Sequence, residues 1–179
     1  MAAYPAHTGD GHWRCYVTTD APPPSTLRSG RVPSAQVVIG GVYALCVLVP
    51  LASLTLVTAL DLDPAGPDTA RQEIIDIGLV GTTALMIGVL PGLYLAKSDS
   101  ASRIGAIVYG ALSVLTIVFF WSGAPGILGA VATWLGGLTR GRTSVQGAPR
   151  VFAIIGLCIA ILNCTVSVAW FAVGAFVGR

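Results

Sequence analysis

The chain has 179 residues, of which 54% are hydrophobic and only 10% charged, and its mean hydropathy is +0.79. A water-soluble domain carries roughly 25% charged residues because its surface must be solvated, so this composition excludes most soluble classes and predicts an integral membrane protein. Ten basic residues stand against eight acidic ones, for a formal net charge of +2. This near balance predicts no nucleic-acid partner.

Residues 1–32 are predicted to form a disordered cytoplasmic tail, because they are polar and irregular and include a run of prolines at 22–24. The first apolar run begins near Ala35, too late for a secretory signal peptide, so we expect the tail to be retained. Several potential metal ligands lie close together in the tail: His7, Asp10, His12 and Cys15. Their spacing matches no established metal module, so we predict no metal site.

Five apolar runs follow the tail: residues 35–60, 74–96, 104–121, 124–139 and 151–177. Crossing a hydrocarbon core about 30 Å thick takes roughly 20 helical residues, so the run 124–139 is marginal and the others are long enough. A single helix over 104–139 would be about 54 Å long at roughly 1.5 Å per residue, and the Gly/Pro-rich stretch 122–126 interrupts it. We therefore predict an all-α fold, a polytopic transmembrane helical bundle over 33–179 with five membrane segments. The third and fourth segments are predicted to form a hairpin.

The basic residues indicate how the chain is threaded, because Lys and Arg favour the cytoplasmic side. They lie before the first segment and in the second and fourth connections: Arg28, Arg31, Lys97, Arg103, Arg140, Arg142 and Arg150. The connection at 61–73 is acidic, and the one at 122–126 carries no charge. We therefore predict a multi-pass protein of the bacterial inner membrane, with a cytoplasmic N-terminus and an outside C-terminus. The same rule also permits the third and fourth segments to dip in from the cytoplasmic side without crossing.

Residues 105–170 carry a distinctive order of features. A Gly/Pro break at 123–129 follows an apolar run, and a short Gly-rich run, an Arg/Gly loop at 140–142 and the stretch Ala153-Ile-Ile-Gly-Leu157 come next. In this order the segment resembles small Gly-rich membrane domains of unknown function from actinobacteria and related bacteria. The resemblance implies the hairpin and implies no activity, because none is established for that family.

The predicted segments are free of ionisable residues in their interiors, where no Asp, Glu, Lys, Arg or His occurs. Ion-coupled transporters, proton pumps and voltage sensors need such a group at depth, and intramembrane enzymes need catalytic or metal-ligating groups. We therefore predict no enzymatic activity, no catalytic residue and no cofactor. Cys46, Cys158 and Cys164 are all at predicted membrane depth and are interpreted as small apolar fillers rather than a disulfide framework.

Small and polar residues recur along two helical stripes. The last segment carries Gly156, Ala160, Asn163, Ser167, Trp170 and Gly174, and the third carries Ala106, Tyr109, Ser113 and Thr116. Membrane helices associate where small residues let backbones approach and polar side chains bond across. We expect the two stripes to meet inside the bundle, with Asn163 level with Thr116. Gly88 and Gly92, four residues apart in the second segment, are further candidate packing positions.

Two functions are compatible with these residues. The stripes favour a non-enzymatic accessory or scaffolding subunit that acts through helix–helix packing. Alternatively, Thr116, Asn163 and Ser167 line a polar pathway in a small oligomeric channel or facilitator for an uncharged or hydrophobic solute. Under either function, we expect the partners of the chain to be the lipid bilayer and either another membrane protein or, in a homo-oligomer, a second copy of the chain.

Overall fold

A computed structural model describes residues 32–60, 67–139 and 145–177 of this chain. These residues form four long helices and one shorter helix, with no strand among them. In chain order they are α1 (Ala35–Ala59), α2 (Pro67–Leu95), α3 (Asp99–Ser122), α4 (Ala124–Leu135) and α5 (Ala148–Val177). The predicted all-helical fold is confirmed. The predicted tail lies outside the described residues except for Val32, as do Arg140, Arg142 and residues 61–66.

The long helices have the length and composition needed to cross a membrane. The stretches that meet this criterion are Ala35–Ala59, Arg71–Leu95, Asp99–Ser122 and Ala148–Trp170. Helix α4 has only 12 residues. At roughly 1.5 Å per residue it is about 18 Å long, little more than half of a hydrocarbon core about 30 Å thick. The run predicted at 124–139 is therefore helical only in its first part.

Glycines end α4 at Leu135. Gly137 has a φ of 72°, in the left-handed region that favours glycine, and its N–H donates to the carbonyl of Trp134. The N–H of Leu138 donates to the carbonyl of Thr133, which is the bond that closes a Schellman-type helix end. The backbone thus leaves the helix before the apolar run is finished.

Helix α1 widens into a π-helical turn at Ala44–Leu48. Pro50, which follows this turn, has no N–H to donate to the carbonyl of Cys46, and its ring crowds that carbonyl in a regular α-helix. A wider turn relieves the crowding, and such turns are frequent at functional sites. The side chains of Cys46 and Val47 are both buried here.

Helix α3 tightens into a 3-10 turn over Thr116–Ser122, and the chain then reverses at one residue. Gly123 has a φ of 75°, and a Cβ there would lie 2.8 Å from the Cβ of Cys46, so the position requires glycine for both conformation and space. The Ser122 hydroxyl accepts a hydrogen bond from the Ala124 N–H at 3.3 Å. Pro125 then occupies the first turn of α4, where a missing N–H is tolerated.

Helix α4 is the centre of the bundle. Every one of its residues except Trp134 is buried, and α1, α2, α3 and α5 all contact it. A helix that is hydrophobic around its whole circumference must be enclosed by other elements, which here are the long helices. Their outward faces carry large apolar side chains, including Leu79, Leu115 and Val118.

Candidate functional site at the start of the central helix

The turn between α3 and α4 lies halfway along α1 and α2. Gly123 is in close contact with Cys46 in the middle of α1, and a Cβ at Gly81, in the middle of α2, would lie 3.1 Å from the carbonyl oxygen of Ser122. The other end of α4 meets the start of α3, because the Ser102 hydroxyl donates to the carbonyl of Leu135 at 2.6 Å. Helix α4 therefore extends from one end of the bundle to its middle.

Asn163 fastens α5 to this turn. Its side chain is only 4% exposed, and Nδ2 donates to the carbonyl oxygen of Phe120 at 2.7 Å. The same carbonyl accepts the N–H of Gly123 at 3.3 Å. The amide oxygen Oδ1 of Asn163 is buried without a hydrogen-bond partner, and a Cβ at Gly126 would lie 2.8 Å from it. Oδ1 thus lies against the first turn of α4, where the positive end of the helix dipole favours an oxygen.

A half-open cavity of about 270 Å³ adjoins this site. Its lining consists of Ile117, Phe120, Pro125, Ile159, Leu162, Asn163 and Val166. Asn163 is the one polar side chain among these residues, and none of them is charged. The cavity is therefore suited to an apolar group and not to a hydrated ion.

Ser113 and Thr116, two of the predicted polar positions of α3, bond within their own helix. The hydroxyl of the buried Ser113 donates to the carbonyl of Gly110 at 2.8 Å, and the hydroxyl of the half-buried Thr116 donates to that of Leu112 at 2.8 Å. Back-bonding of this kind satisfies a hydroxyl without bridging two helices. The structure places Asn163 at Phe120, one turn beyond Thr116.

Tyr109 connects α3 to α2. Its hydroxyl donates to the carbonyl of Ile87 at 2.8 Å, and its ring is buried. Gly88 and Gly92 face α4, because a Cβ at either position would lie 3.1 Å from a side chain of that helix, Val131 or Trp134 respectively. Gly174 belongs to α5, but its surroundings lie outside the described residues.

The small-residue stripe of α5 faces α4 at its glycine. A Cβ at Gly156 would lie 2.8 Å from the carbonyl oxygen of Gly129, so the two backbones touch at this point. Next to it the hydroxyl of Thr133 donates to the carbonyls of Gly129 at 2.8 Å and of Ala153 at 3.3 Å. Helix α3 reaches α5 through Gly110, where a Cβ would lie 2.7 Å from the carbonyl oxygen of Phe152. The shortest of the predicted membrane segments therefore provides the main partner surface of α5.

The sequence interpretation missed a pair of cysteines. The Sγ atoms of Cys46 and Cys164 lie 3.5 Å apart, although 118 residues separate them in the chain. Ser167 on the next turn of α5 lies beside Cys46. Cys158, on the same helix, is exposed and lies away from this pair. No local spacing in the sequence indicates the pair, because its members lie in the first and last helices.

The described residues contain no group of three or more His, Cys, Asp or Glu side chains positioned to hold a metal ion. The described Lys, Arg and Glu residues are all exposed. Comparisons with protein-family models, curated proteins and solved structures find no match to this chain. The resemblance of residues 105–170 to small Gly-rich bacterial membrane domains stays a prediction from the residues.

Proposed function

We propose that this protein is a multi-pass protein of the bacterial inner membrane that acts through helix–helix packing, as a non-enzymatic accessory or scaffolding subunit. The observation that carries the proposal is the burial of α4 on all sides. A central apolar helix fills the space that a water-filled path through a single copy would need. The outward faces of the long helices are apolar, which suits contact with lipid and with the helices of another membrane protein.

Affinity purification in mild detergent, followed by mass determination of the intact complex, tests this function. We expect a distinct membrane protein at fixed stoichiometry with the tagged chain. Gly129→Ala, which disturbs the contact between α4 and α5, should lose the partner, whereas Gly40→Ala, at a position with no atom near an added Cβ, should keep it. Recovery of the chain alone, or only as a homo-oligomer, would contradict the accessory role.

We further propose that α3 and α4 form a hairpin that enters from the cytoplasmic side and reaches the middle of the membrane. The length of α4 and the position of Gly123 beside the middle of α1 support this arrangement. Lys97, Arg103 and Arg150 flank the end of α2 and the starts of α3 and α5, next to the end of α4. Their clustering at one end of the bundle supports a cytoplasmic assignment for that end, and hence for the N-terminus.

Reporter fusions test the orientation. Fusions after Ala65, Ser100, Ser144 and Arg179 should report outside, inside, inside and outside, and an outside signal at Ser144 would contradict the threading. Trp121→Cys in a chain lacking its native cysteines separates the hairpin from five complete crossings. Trp121 is 45% exposed, so a thiol there reacts with an impermeant outside reagent if the turn reaches the outer surface. We expect protection of Trp121→Cys and labelling of the control Ala65→Cys.

The cavity beside Asn163 favours one second candidate, an oligomeric facilitator for an uncharged or hydrophobic solute. Val166→Trp would fill this cavity, whereas Val168→Trp on the same helix adds the same volume outside its lining. We expect uptake of benzyl alcohol into proteoliposomes to fall with Val166→Trp and not with Val168→Trp if this candidate is correct. Equal uptake by empty and protein-containing liposomes would exclude it for this solute.

A further inference from the structure

The thiols of Cys46 and Cys164 face each other across two helices. Their Sγ atoms are 3.5 Å apart, and Cys46 is only 1% exposed while Cys164 is partly exposed. A disulfide has an S–S length of about 2.05 Å, so the two sulfur atoms need to approach by roughly 1.5 Å to bond. Side-chain rotation about Cα–Cβ bonds moves sulfur atoms over distances of this size.

The backbone around Cys46 holds its thiol in this position. Cys46 lies in the π-helical turn that precedes Pro50, and Gly123 packs directly against its Cβ and carbonyl oxygen. Any side chain at position 123 would collide with Cys46, because the added Cβ would be 2.8 Å from the Cys46 Cβ. The two features come from different parts of the chain and converge on one thiol.

We propose that Cys46 and Cys164 form a redox-active dithiol that a lipid-soluble oxidant of the quinone class converts to an intramolecular disulfide. The inference goes beyond the proposed function and shares with it only the placement of the bundle in a membrane. The pair lies near the middle of α1 and well inside α5, among apolar side chains. At this depth a water-soluble oxidant has no path, so the oxidant must dissolve in the bilayer.

The reaction balances with the quinone as the sole co-reactant. The more accessible Cys164 thiol adds to the quinone ring, which forms an S–C bond and moves the thiol proton to a ring oxygen. The Cys46 sulfur then attacks Cys164, so that the S–S bond forms, the S–C bond breaks and the ring leaves as hydroquinone with the second proton. The quinone gains two electrons and two protons in all, and a thiol reductant reverses the oxidation.

Oxidation would tie α1 to α5 beside the start of α4. Because the bond closes a loop of 118 residues, it restricts the unfolded chain and restrains separation of the helices that enclose α4. The disulfide form should therefore unfold at a higher temperature than the dithiol form. The membrane quinone pool would thereby set the stability of the bundle.

The test uses the full-length chain in membranes with Cys15→Ser and Cys158→Ser, so that only the proposed pair remains. Membranes are treated with a short-chain benzoquinone, denatured, and reacted with a polyethylene-glycol maleimide that shifts each free thiol on a non-reducing gel. We expect the maleimide shift of both thiols to be lost after quinone treatment and restored by dithiothreitol. Oxidised glutathione added in place of the quinone should leave the shift unchanged.

A matched control keeps Cys46 and Cys158 in a Cys15→Ser, Cys164→Ser chain. Cys158 is on the same helix as Cys164 but is exposed and unpaired with Cys46, so no disulfide should form, and any Cys158 thiol lost by addition to the quinone should not be restored by dithiothreitol. Retention of both thiols in the Cys46/Cys164 chain would overturn the proposal. An equal loss in the control chain that dithiothreitol restores, a dimer-sized product, or equal oxidation by glutathione would overturn it as well. Gel filtration in detergent checks that each chain retains the native size.

Discussion

Helix α4 and the long helices around it are built from similar apolar residues, yet their environments are opposite. Ile127 and Val131 in α4 are completely buried by neighbouring helices, whereas Leu115 and Val118 in α3 are 71% and 73% exposed. The composition of the two sets does not separate them. Their small residues do, because α4 places Gly126 against Val42 of α1 and Asn163 of α5, and Gly129 against the backbone of Gly156 in α5.

Hydropathy predicts that a segment is removed from water, but it does not predict whether lipid or protein replaces the water. A bilayer and a protein interior are both apolar, so the same residues are stable in either. Close backbone approach is what distinguishes the enclosed helix, because only glycine and other small residues allow it. Substitutions that add or remove single groups at these contacts should therefore lower the free energy of unfolding far more than substitutions on the outward faces of the long helices.

The largest effect is expected at Gly129. A Cβ there meets the backbone of Gly156, which cannot move aside as a flexible side chain can. Gly129→Ala should lower the free energy of unfolding by about 3 kcal/mol, near the upper end of typical overpacking costs. Thermal unfolding in mild detergent measures the change.

Gly40→Ala is the matched control, since a Cβ there has nothing within 4 Å. It should stabilise α1 by roughly 0.5–1 kcal/mol, the usual gain of alanine over glycine in a helix. Equal destabilisation by the two substitutions would show that the contact between α4 and α5 does not limit the size of the side chain at position 129.

Asn163→Ala should have the next largest effect. It removes the hydrogen bond from Nδ2 to the carbonyl of Phe120, and interhelical hydrogen bonds in membrane proteins contribute about 0.6 kcal/mol on average and about 1.7 at most. We expect a loss near the upper value because Asn163 is buried. Thr165→Ala serves as the control, since the exposed Thr165 hydroxyl donates only to Ile161 in its own helix. Comparable unfolding temperatures for the two variants would contradict a stabilising role of the hydrogen bond between Asn163 and Phe120.

Ser102→Ala tests how firmly the end of α4 is fastened to α3. The buried Ser102 hydroxyl donates to the carbonyl of Leu135, and loss of such a bond costs about 1 kcal/mol. Ser113→Ala removes an equally buried hydroxyl that bonds only to Gly110 within α3, and should be close to neutral. Chemical denaturation of the two variants in parallel gives the difference. A larger loss for Ser113→Ala would reverse the expected order.

Among the four substitutions Gly129→Ala, Asn163→Ala, Ser102→Ala and Tyr109→Phe, the last should have the smallest effect. The hydroxyl donates to the carbonyl of Ile87 in α2, and its removal should cost about 0.6 kcal/mol, near the average for interhelical hydrogen bonds. Tyr43→Phe removes a longer, exposed hydrogen bond to Thr82 and should cost less still. A larger loss of unfolding free energy for Tyr109→Phe than for Asn163→Ala would mean that the contact of α2 with α3 contributes more to stability than the site beside α4.

The sequence identifies the donor of the hydrogen bond between α5 and α3 but not its acceptor. Asn163 is identifiable because a lone amide among apolar residues needs a partner. Its acceptor is not identifiable, because every residue of α3 has a carbonyl and only the 3-10 turn directs that of Phe120 toward α5. Thr116 has a polar hydroxyl and lies only one turn before Phe120, yet this hydroxyl donates to the carbonyl of Leu112 within its own helix.

Sequence patterns predict the apolar, helical character of the described residues and the approximate positions of their helices. These properties follow from composition and from runs of neighbouring residues, which are local. The central position of the shortest helix and the contact between Cys46 and Cys164 emerge only from the packing of the folded chain. Both outcomes depend on helices far apart in the chain, and between apolar helices no hydrophobic difference selects the partner. The fit of small residues at close backbone contacts selects it.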